Sequence, residues 1–140
     1  MRVLLDTCVV SEIMRATGSQ RVKERLAEYP RANTYLSVAT VGEMVRGVEL
    51  LEPGKKREAL SVKLLHLEAD YGECILPIDV EVARIWGEIS VIRQRLGRRL
   101  PIIDGLIAAT AVRHGLHIVT RNVADFEDMG ALVINPWEDA

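Results

Sequence analysis

The chain has 140 residues, of which 49% are hydrophobic and 27% are charged, a balance typical of a globular domain rather than a disordered or fibrous chain. Its 18 Lys and Arg residues and 20 Asp and Glu residues give a net charge of −2, which excludes nucleic-acid binding through overall positive charge. No apolar stretch is long enough to cross a bilayer and no signal-peptide core precedes Asp6, so we expect one cytoplasmic domain over residues 1–140.

Short apolar runs alternate with helical segments from the start of the chain. Val3–Leu5 is an apolar run closed by Asp6, which is typical of a strand buried on both faces of a parallel sheet. The pattern predicts a helix over Ser19–Leu26, capped by its serine, and a second strand at Thr34–Leu36. Ser37 can cap the next helix, whose apolar positions recur at helical spacing: Val41, Met44, Val45 and Val48.

The same alternation continues through the second half. Pro53-Gly54 breaks the chain before a predicted helix over Lys55–Tyr71, and Cys74–Leu76 is a third candidate strand. Asp79 can cap an amphipathic helix with apolar positions at Val82, Ile85, Trp86, Ile89, Ile92 and Leu96. A helix that is apolar on every side is predicted over Ile102–Val112. The last two predicted strands are His117–Val119 and Ala131–Ile134.

This order predicts a three-layer α/β/α fold with a mainly parallel central sheet of about five short strands. Ligand sites of such sheets lie beyond the carboxyl ends of the strands, so polar residues that directly follow strands are candidate functional residues. Asp6 follows the first strand, while Asn122 and Asp125 follow the strand that ends at Val119. Taken singly, each of these residues is also explained as a helix cap or a loop residue.

Two further carboxylates lie in apolar surroundings. Asp104 is the only charged residue between Ile102 and Val112, and a lone buried carboxylate is costly unless a cation or hydrogen-bond donors compensate it. Capping of its own helix is the structural alternative for Asp104. Glu43 lies beside Met44 at the edge of the apolar stripe of its helix, and solvation is the alternative for it.

If these acids converge, their mutual repulsion raises their pKa values or forces the site open unless a divalent cation neutralises them. Oxygen ligands favour Mg²⁺ or Mn²⁺ over zinc, and neither the cysteines nor the histidines of the chain have metal-ligand spacing. One or two such ions can activate a water and stabilise the charge that develops on a phosphate. The implied substrate is a phosphodiester.

Five segments, taken in order, resemble PIN-domain nucleases, and in particular the VapC-like and FitB-like toxins of bacterial toxin–antitoxin pairs. The segments are LLDTCVVSE at 4–12, TVGEMVRG at 40–47, PIIDGLIAATA at 101–111, VTRNVADF at 119–126 and VINPW at 133–137. The resemblance implies a magnesium-dependent endoribonuclease, usually a homodimer, that is silenced by an antitoxin encoded beside it. Carried onto this chain, it implies a catalytic group of Asp6, Glu43, Asp104 and Asp125.

Within that group, we expect Asp6 and Asp104 to bind the ion, Asp125 to complete or bridge its ligand set, and Glu43 to hold or deprotonate the attacking water. The expected supporting residues are Thr7, Thr120 and Asn122. Cys8 stands where many members of the family carry Asn, so we expect a polar contact near Asp6 to be absent or supplied by Thr7.

An acidic pocket in an acidic protein repels RNA, so local positive charge must guide the phosphates. The candidates are Arg46, Arg93, Arg95, Arg98, Arg99 and Arg121. Solvation at a helix end is the alternative for these arginines. The expected antitoxin lays an apolar helix in a groove and directs a basic side chain at the acids, within a complex that can be larger than a toxin dimer.

Two other functions compete with the nuclease hypothesis. A module of the same fold that binds nucleic acid or a partner without catalysis is one, and the presence of all four acids argues against it. The other is an α/β module that uses Asp6 as a phosphate acceptor. Cys8 stands where such modules have a second acid, and no lysine follows Lys63, which argues against that function.

Overall fold

The computed structural model describes residues 1–138 and contains a five-stranded sheet in which every paired strand is parallel. In sheet order, the strands are β3, β2, β1, β4 and β5. Their bounds are β1 Val3–Leu5, β2 Thr34–Ser37, β3 Ile75–Leu76, β4 His117–Val119 and β5 Val133–Ile134. The predicted parallel sheet of five short strands is therefore confirmed.

Helices connect the strands and cover both faces of the sheet. Their bounds are α1 Thr7–Met14, α2 Gln20–Ala27, α3 Val38–Glu49, α4 Lys55–Tyr71, α5 Val80–Arg95, α6 Ile102–His114 and α7 Val123–Phe126. Three predicted caps are confirmed, because side-chain oxygens of Ser19, Ser37 and Asp79 accept hydrogen bonds from backbone N–H groups in the first turn of their helices.

The core forms two clusters, one on each side of the sheet. Leu4 belongs to the cluster that contains α5 and α6, whereas Val3 and Leu5 belong to the cluster with α1 and the end of α4. This division follows the alternation of side chains along a strand. Helix α6 is buried along most of its length through Ile107, Ala108, Ala109 and Ala111, as its apolar sequence predicts. The arrangement confirms the three-layer α/β/α fold.

Two helices were not predicted from the sequence. Helix α1 begins directly after β1 and contains Thr7, Val9 and Val10, whose β-branched side chains favour strands. Helix α7 is a single turn, too short to show a periodic pattern. In the part of the chain that the structure describes, no helix is both long enough and apolar enough to span a membrane.

The register of the sheet determines which side chains meet at its carboxyl edge. Leu5 of β1 is paired with Val119 of β4, and the backbone N–H of Asp6 donates to the carbonyl of Val119 at 2.9 Å. Asp6 and Thr120 therefore leave the sheet side by side. Because β1 and β4 are adjacent and parallel, residues far apart in sequence meet at one position.

Candidate active site

The four acids proposed from the sequence lie on four different elements of the fold. Asp6 follows β1, Glu43 lies on α3, Asp104 lies in the first turn of α6 and Asp125 lies in α7. The pKa of Asp104 is raised to about 6, first by desolvation and then by the charges of Asp6, Asp125 and Glu43. Asp104 therefore lies within electrostatic range of the other three acids, and we refer to these four residues as the acidic cluster.

Asp6 is held by donors from two elements. Its side chain is 4% exposed, and Oδ1 accepts a hydrogen bond from the backbone N–H of Thr7 at 2.8 Å. Oδ2 accepts from the hydroxyl of Thr120 at 2.7 Å, and that hydroxyl accepts in turn from the backbone N–H of Asn122 at 3.0 Å. Asp6 is therefore the N-cap of α1, as one of the two alternatives predicted. Its Oδ2 atom also bonds to Thr120, the residue that follows β4.

Cys8 itself supplies the polar contact near Asp6, which we expected to be absent or supplied by Thr7. Its thiol donates to Oδ2 of Asp6, with Sγ at 3.4 Å, and Sγ lies 3.6 Å from the hydroxyl oxygen of Thr120. Burial, followed by the charge of Asp6, raises the pKa of the Cys8 thiol, which keeps the proton on sulfur. Cys8 and Cys74 are both free, half-buried thiols.

Glu43 is anchored to the start of α1. The hydroxyl of Thr7 donates to Oε1 of Glu43 at 2.6 Å and lies 3.2 Å from the hydroxyl of Thr40. Glu43 is partly buried and hydrogen-bonded, so the alternative of a freely solvated side chain is wrong. Thr7 therefore touches two of the acids, Asp6 through its backbone and Glu43 through its side chain.

Asp104 does not cap its helix, which makes the structural alternative for this residue wrong. Pro101 is the N-cap of α6 and provides no side-chain hydrogen bond. Asp104 lies in the first turn of α6, which packs against α5. At the next residue, a methyl group on Gly105 would lie 2.9 Å from both Cδ1 and Nε1 of Trp86, so the two helices approach closely because residue 105 has no side chain.

The six candidate arginines do not share one environment, and Arg93 differs from the rest. Arg93 is 4% exposed, and its guanidinium donates to the carbonyls of Glu127 at 2.8 Å and Asp125 at 3.3 Å. Its assignment as an RNA contact is therefore corrected, because the side chain is directed into the protein. The exposed candidates are Arg46, Arg95, Arg98, Arg99 and Arg121.

Two of the exposed arginines have intramolecular contacts. Arg98 forms an ion pair with Asp128 at 2.8 Å. Arg121 lies over the ring of Trp137, 5.2 Å from its centroid. Exposed contacts of this kind contribute little to stability and leave the guanidinium groups accessible to a charged ligand.

The donor set fits a hard divalent cation in its chemistry. Every acid in the cluster offers carboxylate oxygens, the ligands that Mg²⁺ and Mn²⁺ prefer. Among residues 1–138, no three Asp, Glu, His or Cys side chains already lie close enough to share one ion.

Two residues near the acids, Arg93 and Cys8, have contacts that differ from those expected from the sequence. Arg93 continues the apolar stripe of α5 at helical spacing, four residues after Ile89 and seven after Trp86, and that spacing is a signal of burial. No local signal marks the thiol of Cys8 as a donor to Asp6, because the contact depends on how α1 begins.

Comparison with known proteins places the chain among characterised families. A family model described as PIN domain matches residues 3–132. Toxin FitB of Neisseria gonorrhoeae is 38% identical over 138 residues, which cover 98% of this chain and 99% of the relative. VapC ribonuclease Y4jK of Sinorhizobium fredii is 34% identical over 140 residues, with 99% of each chain covered.

Solved structures give the same result. The crystal structure of FitAcB from Neisseria gonorrhoeae matches with a TM-score of 0.90 at 38% identity, covering 96% of this chain and 98% of that one. A toxin–antitoxin complex from Klebsiella pneumoniae matches with a TM-score of 0.72 at 25% identity, covering 98% of this chain and 99% of that one.

The raised pKa of Asp104 predicts a pH-dependent effect of its replacement. Its stabilising contribution is present below the unfolded value of 3.8 and is lost as the pH rises through about 6. In EDTA at pH 7.5, Asp104→Asn should raise the free energy of unfolding by about 1–2 kcal/mol. This value is the free energy that corresponds to the pKa shift of Asp104, reduced for screening by solvent. Urea unfolding at pH 7.5 and pH 4 measures this, and a variant that is destabilised equally at both pH values would contradict it.

Gly105→Ala should destabilise the protein although alanine is favoured in helices by about 1 kcal/mol. The added methyl group collides with the Trp86 ring, and overpacking costs about 1–3 kcal/mol. The matched control is Gly47→Ala on α3, where the added methyl group meets no atom within 4 Å and should stabilise by about 0.5–1 kcal/mol. Thermal unfolding of both variants provides the test, and equal stabilisation would show that α5 and α6 are not tightly packed there.

Proposed function

The chain belongs to the PIN-domain family, and we propose from this premise that it is the endoribonuclease toxin of a toxin–antitoxin pair, acting in the cytoplasm and dependent on Mg²⁺ or Mn²⁺. The observation that carries the proposal is the acidic cluster, in which the charges of Asp6, Glu43 and Asp125 all act on Asp104. Relatives named as a toxin and as a ribonuclease support it.

In this proposal, Asp6, Asp104 and Asp125 hold the divalent cation. When bound, the ion supplies a Lewis acid that activates water and offsets the charge developing on the phosphate. The donors from Thr7, Cys8 and Thr120 fix the direction of the Asp6 carboxylate before any ligand arrives, which lowers the cost of ordering the site.

Glu43 is assigned a separate task. Its Oε1 accepts from Thr7, so the orientation of the carboxylate is fixed and Oε2 is left to accept a proton from the attacking water. Thr7 therefore couples the proton acceptor to the ion-binding residue Asp6. In this proposal, neither histidine nor cysteine acts as a general base.

RNA is proposed to be recognised through its phosphates. The fraction of aromatic residues is 4%, so few side chains are available to stack on bases. Positive charge is available locally instead, and the arginines proposed to contact RNA are Arg46, Arg95, Arg98, Arg99 and Arg121. Attraction for RNA phosphates is therefore proposed to come from these side chains, since the protein as a whole carries a charge of −2.

A groove between α2 and α4 is proposed as the seat of the antitoxin. It has a volume of about 750 Å³ and is lined by apolar and charged side chains that include Leu26, Tyr29, Arg31, Asp70 and Tyr71. Apolar grooves of this kind accept an amphipathic segment of a partner. The complex from Klebsiella pneumoniae, described as a toxin–antitoxin complex, supports a partner of this class.

We also propose that the chain forms a homodimer, as the building block of a larger toxin–antitoxin assembly. Large apolar side chains are exposed on the adjacent helices α3 and α4, namely Val45, Val62 and Leu65, and at Leu50, which follows α3. Burying such side chains against a second copy removes apolar area from water. A solution mass of one 15.6 kDa chain at micromolar concentration would contradict the dimer.

The purified protein should cleave structured RNA with Mn²⁺ or Mg²⁺, and EDTA should abolish cleavage. Replacement of a residue that only hydrogen-bonds a metal ligand costs roughly 10–100-fold. Asp6→Asn alters a proposed ligand itself, so it should lower the cleavage rate by more than that. The matched control is Glu81→Gln on α5, which removes an acid that pairs with Arg113 outside the cluster and should leave the rate unchanged.

The other outcomes of that experiment decide between the functions. Equal cleavage by the wild type and Asp6→Asn would indicate a contaminating nuclease and overturn the assignment of the site. Binding of RNA without cleavage under any metal condition would favour the catalytically inactive module.

Charge reversal at the rim of the groove should weaken antitoxin binding. Arg31 is exposed and stacks on Tyr71 at 3.7 Å, so Arg31→Glu changes the groove at its surface. We expect about a tenfold loss of affinity for the product of the neighbouring gene, measured by calorimetry. The control is Lys56→Glu at the opposite end of α4. Equal affinities for both variants would place the antitoxin elsewhere.

A further inference from the structure

Arg93 connects two elements that are distant in sequence. It lies near the end of α5, and its Nη1 and Nη2 groups donate to the carbonyls of Glu127 at 2.8 Å and Asp125 at 3.3 Å. These two acceptors belong to α7 and the residue that follows it. The planar guanidinium thus spans the main chain around one of the four acids of the cluster.

The position of Arg93 is costly for a structural residue. Its side chain is 4% exposed, and its Nε atom is buried without a hydrogen-bond partner. Across residues 1–138, no carboxylate forms an ion pair with it. A buried cation without an ion pair is unfavourable, and an apolar side chain would continue the stripe that contains Ile89 and Trp86.

The acidic cluster supplies the missing counter-charge at longer range. The charge of Arg93 lowers the pKa of Asp104, opposing desolvation and the charges of the other acids. Arg93 therefore lies close enough to act on two of the acids, on Asp104 through its field and on Asp125 through hydrogen bonds to the main chain.

We propose that Arg93 is a positioning residue, which fixes the main chain from Asp125 to Glu127 and thereby holds the Asp125 carboxylate at the acidic cluster. The inference rests on the proposed function in so far as Asp125 contributes to a cation site. It assigns to Arg93 no contact with RNA or with the reacting atoms.

Positioning and charge predict opposite effects on cation binding. If Arg93 acted only through its charge, its removal would lower the repulsion felt by a divalent cation and tighten binding. If it positions Asp125, its removal releases one of the acids and weakens binding. The sign of the change in Mn²⁺ affinity therefore separates the two roles.

The experiment compares Arg93→Met with Arg113→Met, which removes the same charge from the exposed ion pair between Arg113 and Glu81. Calorimetric titration with Mn²⁺ should show about tenfold weaker binding for Arg93→Met and no change for Arg113→Met. Amide hydrogen exchange over residues 123–128 should be faster in Arg93→Met alone, with or without the metal.

Two further variants keep the test decisive if Arg93→Met does not fold. Arg93→Gln lacks the charge and keeps an N–H donor, whereas Arg93→Lys keeps the charge and loses the planar pair of donors. Both should show intermediate Mn²⁺ affinity and intermediate exchange. Wild-type affinity and exchange in these two variants, or tighter Mn²⁺ binding in Arg93→Met, would overturn the proposal.

Failure of the proposed function gives a different result. In that case the wild type itself binds no Mn²⁺ and cleaves no RNA. The exchange comparison between Arg93→Met and Arg113→Met still determines whether Arg93 holds the segment of Asp125.

Discussion

Electrostatic repulsion of Asp104 by three other carboxylates is the constraint on which the proposed site depends. Desolvation at the start of α6 and the charges of Asp6, Asp125 and Glu43 act on Asp104 in the same direction. A fold selected for stability alone has no reason to collect these groups. The divalent cation that we propose for this site would offset the repulsion, because carboxylate oxygens are ligands that such ions prefer.

The rest of the architecture limits the cost of this repulsion. Asp6 is stabilised by donors from α1 and from the end of β4, which the parallel pairing of β1 and β4 brings together. Thr7 extends this network to Glu43, while Gly105 lets α6 approach α5 through Trp86. The cluster is therefore supported from both layers of helices, each of which rests on its own apolar core.

The features predictable from the sequence are those that local chemistry determines. Ser19, Ser37 and Asp79 are recognisable as caps because the hydrogen bond that each accepts lies within a few residues of it. Helix α1 was not predicted because its β-branched residues favour a strand, and only its position directly after Asp6 allows a helix to begin there. Asp6 and Asp104 stood out because each is a charge beside or within an apolar segment, whereas Asp125 was proposed from its position after a strand. The four acids were proposed as one group through the family resemblance.

The contacts around the acids could not be predicted, because they depend on pairing between distant segments. The hydroxyl of Thr120 reaches Asp6 only through the register of two strands, and the same holds for the thiol of Cys8 beside that hydroxyl. For Arg93, by contrast, the sequence carries a local signal of burial that was not used. A run of arginines suggested an exposed surface, whereas the helical spacing of Arg93 indicates the buried face of α5.

The most direct test of the shared cation site is anomalous scattering from crystals of the protein grown or soaked with Mn²⁺. The account predicts a peak within coordination distance of both Asp6 and Asp104, with their side chains turned toward it. A well-occupied peak at other residues, or carboxylates that stay apart at saturating Mn²⁺, would contradict it.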